Sequence, residues 1–215
     1  MKKLLLALSL FFFATASAQE KDVTTFLGIP IDGYKSEMIQ KLKEKGFVPS
    51  KYREDVLEGE FNGTEVNIYI VTNNNKVYRI MLCDKNCIGE TDIRIRFNKL
   101  CDQFANNTRY ISMMDGDGKI PEDENIGYNI KVNDKRYEAS FRQKPLQKML
   151  DEMIIGCGYT KEELNKEEVR QQLFQEYIKI VDNKSVWFMI SEYGGEYYIT
   201  MYYDNLLNRA NGEDL

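Results

Sequence analysis

The sequence predicts an α+β protein in which antiparallel sheet carries helices on one face. Segments of alternating apolar residues come in groups, and the turns that join them are too short for a parallel crossover. Single segments with the apolar spacing of a helix separate these groups. The order of a helix followed by a meander occurs twice, which suggests two similar halves at residues 19–107 and 108–215. The sequence leaves open whether these halves are two domains or one continuous domain.

Residues 1–18 have the features of a secretory signal peptide. Two lysines precede an uncharged apolar run of thirteen residues, and the small residues Ala16-Ser17-Ala18 follow as a cleavage site. The run is shorter than the ~20 residues that a transmembrane helix needs. We therefore expect cleavage after Ala18 and a mature chain that begins at Gln19. That chain is expected to be periplasmic or secreted, with no stable membrane insertion.

The composition of the mature chain restricts its function. Loss of two lysines with the leader leaves 27 basic against 34 acidic residues, a formal net charge of −7. The charges are mixed along the chain and form no basic cluster, so nucleic acid is not an expected partner. The sequence contains no histidine, which removes the commonest general base and the usual zinc sites. No catalytic residue, metal site or cofactor is indicated.

In the first half, an apolar segment at residues 23–31 precedes a helix and three strands. Asn62-Gly63 is a strong signal for a two-residue hairpin turn, and Asn73-Asn74-Asn75 indicates the next turn. Apolar residues at helical spacing favour a helix before and after this meander. The predicted elements are a helix that opens within residues 33–38 and stops at Gly46, strands over 56–61, 66–71 and 76–82, and a second helix over 91–106.

In the second half, three strands are expected at residues 109–114, 126–132 and 136–143. Asn133-Asp134-Lys135 would form the turn between the last two. A short helix through Ile155 and a longer helix from Thr160 to about Val181 should follow, because Thr160 and Glu163 have the spacing of a capping box. Two final strands, at residues 186–191 and 196–203, flank Gly194-Gly195 as a hairpin.

Both ends of the mature chain resemble known secreted proteins. The segment at residues 26–33, with the helix ending at Lys45-Gly46-Phe47, resembles the opening of uncharacterised secreted proteins of Bacteroidetes. Residues 199–205 and 211–215 resemble the close of the same group. The order of helices and strands is also similar to the helix-plus-antiparallel-sheet repeats of beta-lactamase inhibitory proteins. That similarity implies a concave sheet that grips a partner protein, and it transfers no binding residues.

The final hairpin is rich in aromatic residues. Because side chains alternate across a strand, Tyr198 and Tyr202 share one face with Thr200 between them. These two tyrosines are candidates for an exposed platform with Trp187 as a cross-strand neighbour, since Tyr and Trp anchor interfaces. The alternative is that the aromatic pairs only stabilise the sheet. The other face of the strand should be core, and it carries Tyr197, Ile199, Met201 and Tyr203.

Four cysteines occur, and three are candidates for a disulfide. Cys83 and Cys87 bracket a loop between a strand and a helix, which suits a bond to each other or to Cys101. Cys101 also lies on the buried stripe of its helix, so a packed free thiol is the alternative.

Two groups of acidic residues were considered, one as a calcium-binding loop and one as a catalytic carboxylate pair. Residues 113–124 resemble an EF-hand loop, but Met113 at its first position supplies no carboxylate. We therefore expect a solvated loop without calcium. Glu58 and Glu60 share a strand face, as solvated residues do, and nothing marks them as a catalytic pair.

The leading functional hypothesis is a secreted, non-catalytic binding protein that uses a sheet surface. Its partner would be another envelope protein. A glycan-binding accessory module is the alternative, and a carboxylate-dependent hydrolase is the third. These hypotheses depend more on missing catalytic signatures than on a positive motif.

Overall fold

The computed structural model describes residues 22–160 and 162–209. The predicted signal peptide, its cleavage site and the last six residues of the tail lie outside the described residues. The first half of the chain begins with a two-stranded hairpin and continues into a meander between two helices. Its elements are β1 Thr25–Phe26, β2 Ile29–Pro30, α1 Lys35–Glu44, β3 Val48–Pro49, β4 Val56–Phe61, β5 Thr64–Asn73, β6 Lys76–Asp84 and α2 Glu90–Ala105.

The second half alternates strands with shorter helices. It also contains two single 3-10 turns, Glu162–Asn165 and Leu206–Asn208. Its elements are β7 Tyr110–Ser112, α3 Ile126–Asn133, β8 Glu138–Gln143, α4 Gln147–Gly156, α5 Glu167–Asp182, β9 Lys184–Tyr193 and β10 Glu196–Asn205.

Strands β3 to β10 form one antiparallel sheet in the order β3-β4-β5-β6-β10-β9-β8-β7. The two meanders join where β6 pairs with β10. The predicted α+β class with an antiparallel sheet is therefore confirmed. The turn at Asn62-Gly63 has positive φ at both residues, 53° and 75°, as a type I′ hairpin requires.

One face of this sheet forms the main core with α1 and α2. The core face of β10 is buried as the alternation predicted, with Ile199 1% and Tyr203 4% exposed. Each helix packs an apolar stripe onto this face, because residues three and four apart share one side of a helix. The stripes carry Met38 and Leu42 on α1, and Ile93, Phe97, Leu100, Cys101 and Phe104 on α2.

Helices α4 and α5 form a long connection between two neighbouring strands. The ends of β8 and β9 are already paired, with Arg142 opposite Ser185. A buried ion pair between Lys184 and Asp22 holds the start of β9, and Asp22 also accepts a hydrogen bond from Leu146 N at 3.1 Å. Asp22 therefore binds residues at both ends of the helical connection, Leu146 before α4 and Lys184 after α5.

The predicted strand at residues 126–132 is wrong, because this segment forms helix α3. The Asn125 side chain caps it by accepting a hydrogen bond from Tyr128 N at 2.8 Å. Glu90 of α2 accepts a second bond from Ile126 N at 2.8 Å. Asp134, expected in a hairpin turn, instead ends the helix in a left-handed conformation with φ 51°.

The long helix predicted to begin at Thr160 begins at Glu167 instead. The capping interaction itself is present, since Glu163 Oε2 accepts a hydrogen bond from Thr160 N at 2.9 Å. It closes a single 3-10 turn that ends at Asn165, so the motif marks a helical turn and not the start of α5.

Candidate binding surface

The face of the sheet turned away from α1 and α2, which we call the open face, carries a row of large side chains across four strands. Tyr69 on β5 lies opposite Met81 on β6, Met81 lies opposite Tyr202 on β10, and Tyr202 lies opposite Trp187 on β9. All four residues are half-buried. Since they occupy equivalent register positions, they form one continuous band across the middle of the sheet.

The indole of Trp187 stacks on the phenol ring of Tyr202. The ring centroids are 3.9 Å apart and the planes differ by 15°. The predicted cross-strand neighbourhood of these two residues is confirmed. A stack this close covers part of one face of each ring and holds both side chains in one orientation.

An ion pair on β6 and β10 supports the stack. Arg79 donates to both carboxylate oxygens of Asp204, with distances of 2.5 Å from Nε and 2.7 Å from Nη2. Trp187 Nε1 donates to the same carboxylate at 3.1 Å. The guanidinium carbon of Arg79 lies 4.7 Å from the Tyr202 ring centroid, a cation–π distance.

Asp204 controls the electrostatics of this group. Its side chain is 4% exposed and that of Arg79 is 21% exposed, so water screens the pair weakly. Hydrogen bonds from Arg79 to Asp204 raise the pKa of the guanidinium above its ordinary value. Arg79 therefore stays protonated, and the carboxylate of Asp204 balances its positive charge. We call Trp187, Tyr202, Arg79 and Asp204 the aromatic cluster.

Tyr198 occupies the same face but has a different environment. It lies opposite Ser191, and Thr200 separates it from Tyr202 along β10. The Thr200 hydroxyl is 3.0 Å from that of Ser191. Among the described residues no ring stacks on Tyr198. The structure thus joins Trp187 and Tyr202 directly and places Tyr198 nearby. All three are half-buried, whereas the sequence predicted an exposed platform.

The sequence did not indicate Tyr69, Met81 or Arg79 as part of this surface. Alternation along β6 is enough to place Arg79 and Met81 on one face. Their proximity to Tyr202 depends on the pairing of β6 with β10, which joins residues more than a hundred positions apart. No local pattern contains that information.

The four cysteines, all within the described residues, are free thiols, and no bond joins the disulfide candidates Cys83, Cys87 and Cys101. Cys83 lies on the open face, where its Sγ is 4.0 Å from Thr200 Oγ1. Cys101 lies on the buried stripe of α2, on the other side of the sheet, with its Sγ 3.8 Å from Gly118 O. The sheet therefore separates Cys83 from Cys101, and Cys87 is a half-buried free thiol in the loop after β6.

Two of the acidic residues considered above, Glu124 and Glu58, form ion pairs with lysines. Glu124, which would fill the last position of an EF-hand, accepts hydrogen bonds from Lys135, Tyr137 and Asn129. No group of three or more acidic or cysteine side chains in the described ranges could hold a metal ion. Hydrogen bonds from Ser50 and Lys85 keep the pKa of Glu58 below its usual value, whereas a catalytic general acid needs a raised pKa.

Comparison of the sequence with protein-family models and with curated proteins gave no match, and comparison with solved structures gave none either. The resemblances to secreted Bacteroidetes proteins and to beta-lactamase inhibitory proteins therefore stay predictions. Within residues 22–160 and 162–209, no helix has the length and apolar character needed to cross a membrane.

Proposed function

We propose that the mature chain is a secreted, non-catalytic binding protein that holds a protein partner against the open face of its sheet. The observation that carries this proposal is the aromatic cluster at the centre of that face. Trp, Tyr and Arg supply most of the binding energy in protein interfaces, and three of them are in contact here.

The cluster is arranged before any partner binds. Asp204 fixes the orientation of both Arg79 and Trp187, and the Trp187 ring fixes that of Tyr202. Ordering flexible side chains is a main cost of association. A surface whose anchors are already ordered avoids part of that cost, which favours a binding role over simple sheet stabilisation.

The chemistry of the surface favours a partner with apolar and aromatic side chains. Arg79 is neutralised by Asp204, so it attracts a separate acidic group weakly. Half-buried Met81 and Met189 border the stack, and methionine adapts its shape to irregular apolar surfaces. We infer that the partner is another protein of the cell envelope, reached after export and cleavage at Ala18.

A glycan is the second candidate ligand, and one observation supports it. Tyr198 is half-buried on the same face, with neither ring face covered by another described aromatic residue. An open aromatic face can stack on a sugar ring. The Trp187–Tyr202 pair is less suited to that role, because each ring already covers the other.

The test compares capture of envelope proteins by mature wild-type protein and two variants. Wild type and Tyr193→Ala should retain one partner at equal stoichiometry, whereas Trp187→Ala should lose it. Tyr193 is a matched control because it is an aromatic residue of the same hairpin, 77% exposed and outside the cluster. Circular dichroism should show that both variants are folded.

Two other outcomes would decide against the protein partner. Equal capture by folded Trp187→Ala would remove the aromatic cluster from the interface. Glycan-array binding that disappears in Tyr198→Ala, without any captured protein, would establish the glycan alternative instead.

A further inference from the structure

A cavity of about 360 Å³ lies on the core side of the sheet, between the β1–β2 hairpin, the last turns of α2 and edge strand β7. Its volume falls in the range of small-molecule sites, about 300–1,000 Å³. Its wall has an apolar and a polar part. The apolar part is formed by Phe26, Leu27, Phe61, Leu100, Phe104 and Tyr203, and the polar part by Thr25, Asn62, Gln103, Asn107, Arg109 and Tyr110.

The rings of this wall hold one another in place. The Phe26 centroid is 5.0 Å from that of Tyr203 and 5.3 Å from that of Phe61. On the opposite side, Phe104 meets Tyr110 edge to face at 4.7 Å. Aromatic contacts of this kind belong to a packed interior. The cavity is therefore a fixed feature of the fold and does not require rearrangement to accept a ligand.

Arg109 lines the cavity together with these rings. Its backbone is fixed on both sides, because Arg109 N donates to Asn107 Oδ1 at 3.0 Å and Arg109 O accepts from Lys144 N at 2.8 Å. Its guanidinium contacts Thr25 Oγ1 at 3.4 Å, and no carboxylate in the described part of the chain pairs with it. Most of its donors are thus available to a bound anion.

A second cavity, of about 510 Å³, shares Thr25 and Arg109 with the first. Lys144 also lines it, as do Lys184 and Asp22, which neutralise each other as an ion pair. The surroundings of Arg109 are therefore positive, in a chain whose overall charge is negative. This local charge favours an anionic ligand.

We propose that the first cavity binds an amphipathic anion, with its aliphatic or aromatic body among the rings and its carboxylate paired with Arg109. A guanidinium forms two parallel hydrogen bonds to a carboxylate, which orients the ligand as well as binding it. The proposal is independent of the protein-binding surface. Tyr203 faces the cavity and Tyr202 faces the opposite side of the sheet.

Titration calorimetry of the mature protein with decanoate and decanol tests the proposal. The two probes share an aliphatic chain and differ in charge. Decanoate should bind at one site per chain. Decanol should bind at least about tenfold more weakly, since that is the factor for loss of a single charge-assisted hydrogen bond and the carboxylate can form two. Arg109→Gln should weaken decanoate binding by a similar factor. Lys144→Gln, a neighbouring charge that does not line the first cavity, should change it by about twofold at most.

A second variant tests the cavity itself. Gln103 is exposed at the rim, where it pairs with the Asn62 side chain at 2.7 Å, so Gln103→Trp blocks entry without altering the core. It should abolish decanoate binding, and Trp187→Ala should not change it. The proposal is overturned by absence of saturable decanoate binding to wild type, by equal affinity for decanol, or by unchanged binding in Arg109→Gln.

Discussion

Arg79 and Asp204 lie directly opposite each other across the β6–β10 ladder and form a bidentate ion pair, with two N–O distances of 2.5 and 2.7 Å. This ladder joins the meander of the first half to the final hairpin of the second half. The pair therefore stabilises the middle of the sheet and, through the bond from Trp187 to Asp204, the aromatic cluster as well.

Removal of the cation from this pair should be costly. Arg79→Met leaves the carboxylate of Asp204, which is 4% exposed, with the Trp187 indole as its remaining side-chain donor. We expect the free energy of unfolding to fall by about 3 kcal/mol. Urea denaturation followed by circular dichroism measures the change.

The double variant Arg79→Met/Asp204→Leu provides the control, because it removes both charges. It should recover part of the lost stability, since a buried charge without its partner is worse than an apolar pair. A double variant less stable than Arg79→Met would contradict this account.

Gly59 permits a close contact with Phe47, so a methyl group at this position should destabilise the fold. A Cβ at Gly59 would lie 2.4 Å from Phe47 Cδ1, and Phe47 is 4% exposed. We expect Gly59→Ala to lower the free energy of unfolding by about 2 kcal/mol, as overpacked cores do. Gly156→Ala is the control, because a Cβ there meets no atom within 4 Å. Equal stability of the two variants would show that Phe47 can move aside.

Cys101 should resist alkylation in the folded protein. Burial raises the pKa of its thiol to about 12, so the reactive thiolate is scarce at pH ~8. Exposed Cys157 should react readily with iodoacetamide under the same conditions. Peptide mass spectrometry distinguishes the two sites, and labelling of Cys101 at the rate of Cys157 would contradict its buried position. Urea without reductant should make Cys83 and Cys87 reactive, because both are free thiols.

The Glu124 carboxylate should contribute to stability at neutral pH and lose that contribution in acid. Its bonds with Lys135 and Tyr137 hold its pKa below the ordinary 4.5. A carboxyl group whose pKa is lower in the folded state stabilises the protein above the unfolded pKa. That effect disappears as the pH falls through the folded pKa. The stability difference between wild type and Glu124→Gln should therefore narrow below pH ~4.5. Glu122→Gln, at an exposed position in the same loop, is the control, and a constant difference would contradict the assignment.

The leader can be tested by the mass of the exported protein. Expression in a bacterial host should give a product whose N-terminus is Gln19, because cleavage follows Ala16-Ser17-Ala18. Intact-mass spectrometry measures this directly. A product in the culture or periplasm that retains residues 1–18 would exclude cleavage.

Local sequence patterns predicted most of the strands and the faces of β10. Asn62-Gly63 needs only its own backbone preferences to form a turn, and the alternation of Tyr202 and Tyr203 follows from strand geometry. The strand prediction around Ile126 is wrong because Ile126, Tyr128 and Ile130 fit a strand period as well as a helical one. Its helix depends on Glu90, which lies 36 residues earlier in the chain.

The candidate sites were less predictable than the fold because they depend on distant pairing. Arg79 reaches Asp204 across a separation of 125 residues, and Arg109 reaches Thr25 across 84. Such contacts arise from the strand order of the sheet and the docking of the N-terminal hairpin. The spacing of residues within one segment predicts neither the strand order nor the docking of this hairpin.

The stacked indole on the open face has a practical value for anyone who studies this protein, since Trp187 is the single tryptophan of the sequence. Fluorescence excited at a wavelength that only tryptophan absorbs therefore reports on the environment of Trp187 alone. Quenching or a spectral shift of this native emission would follow binding of a partner at the aromatic cluster in real time, without a dye or an added label.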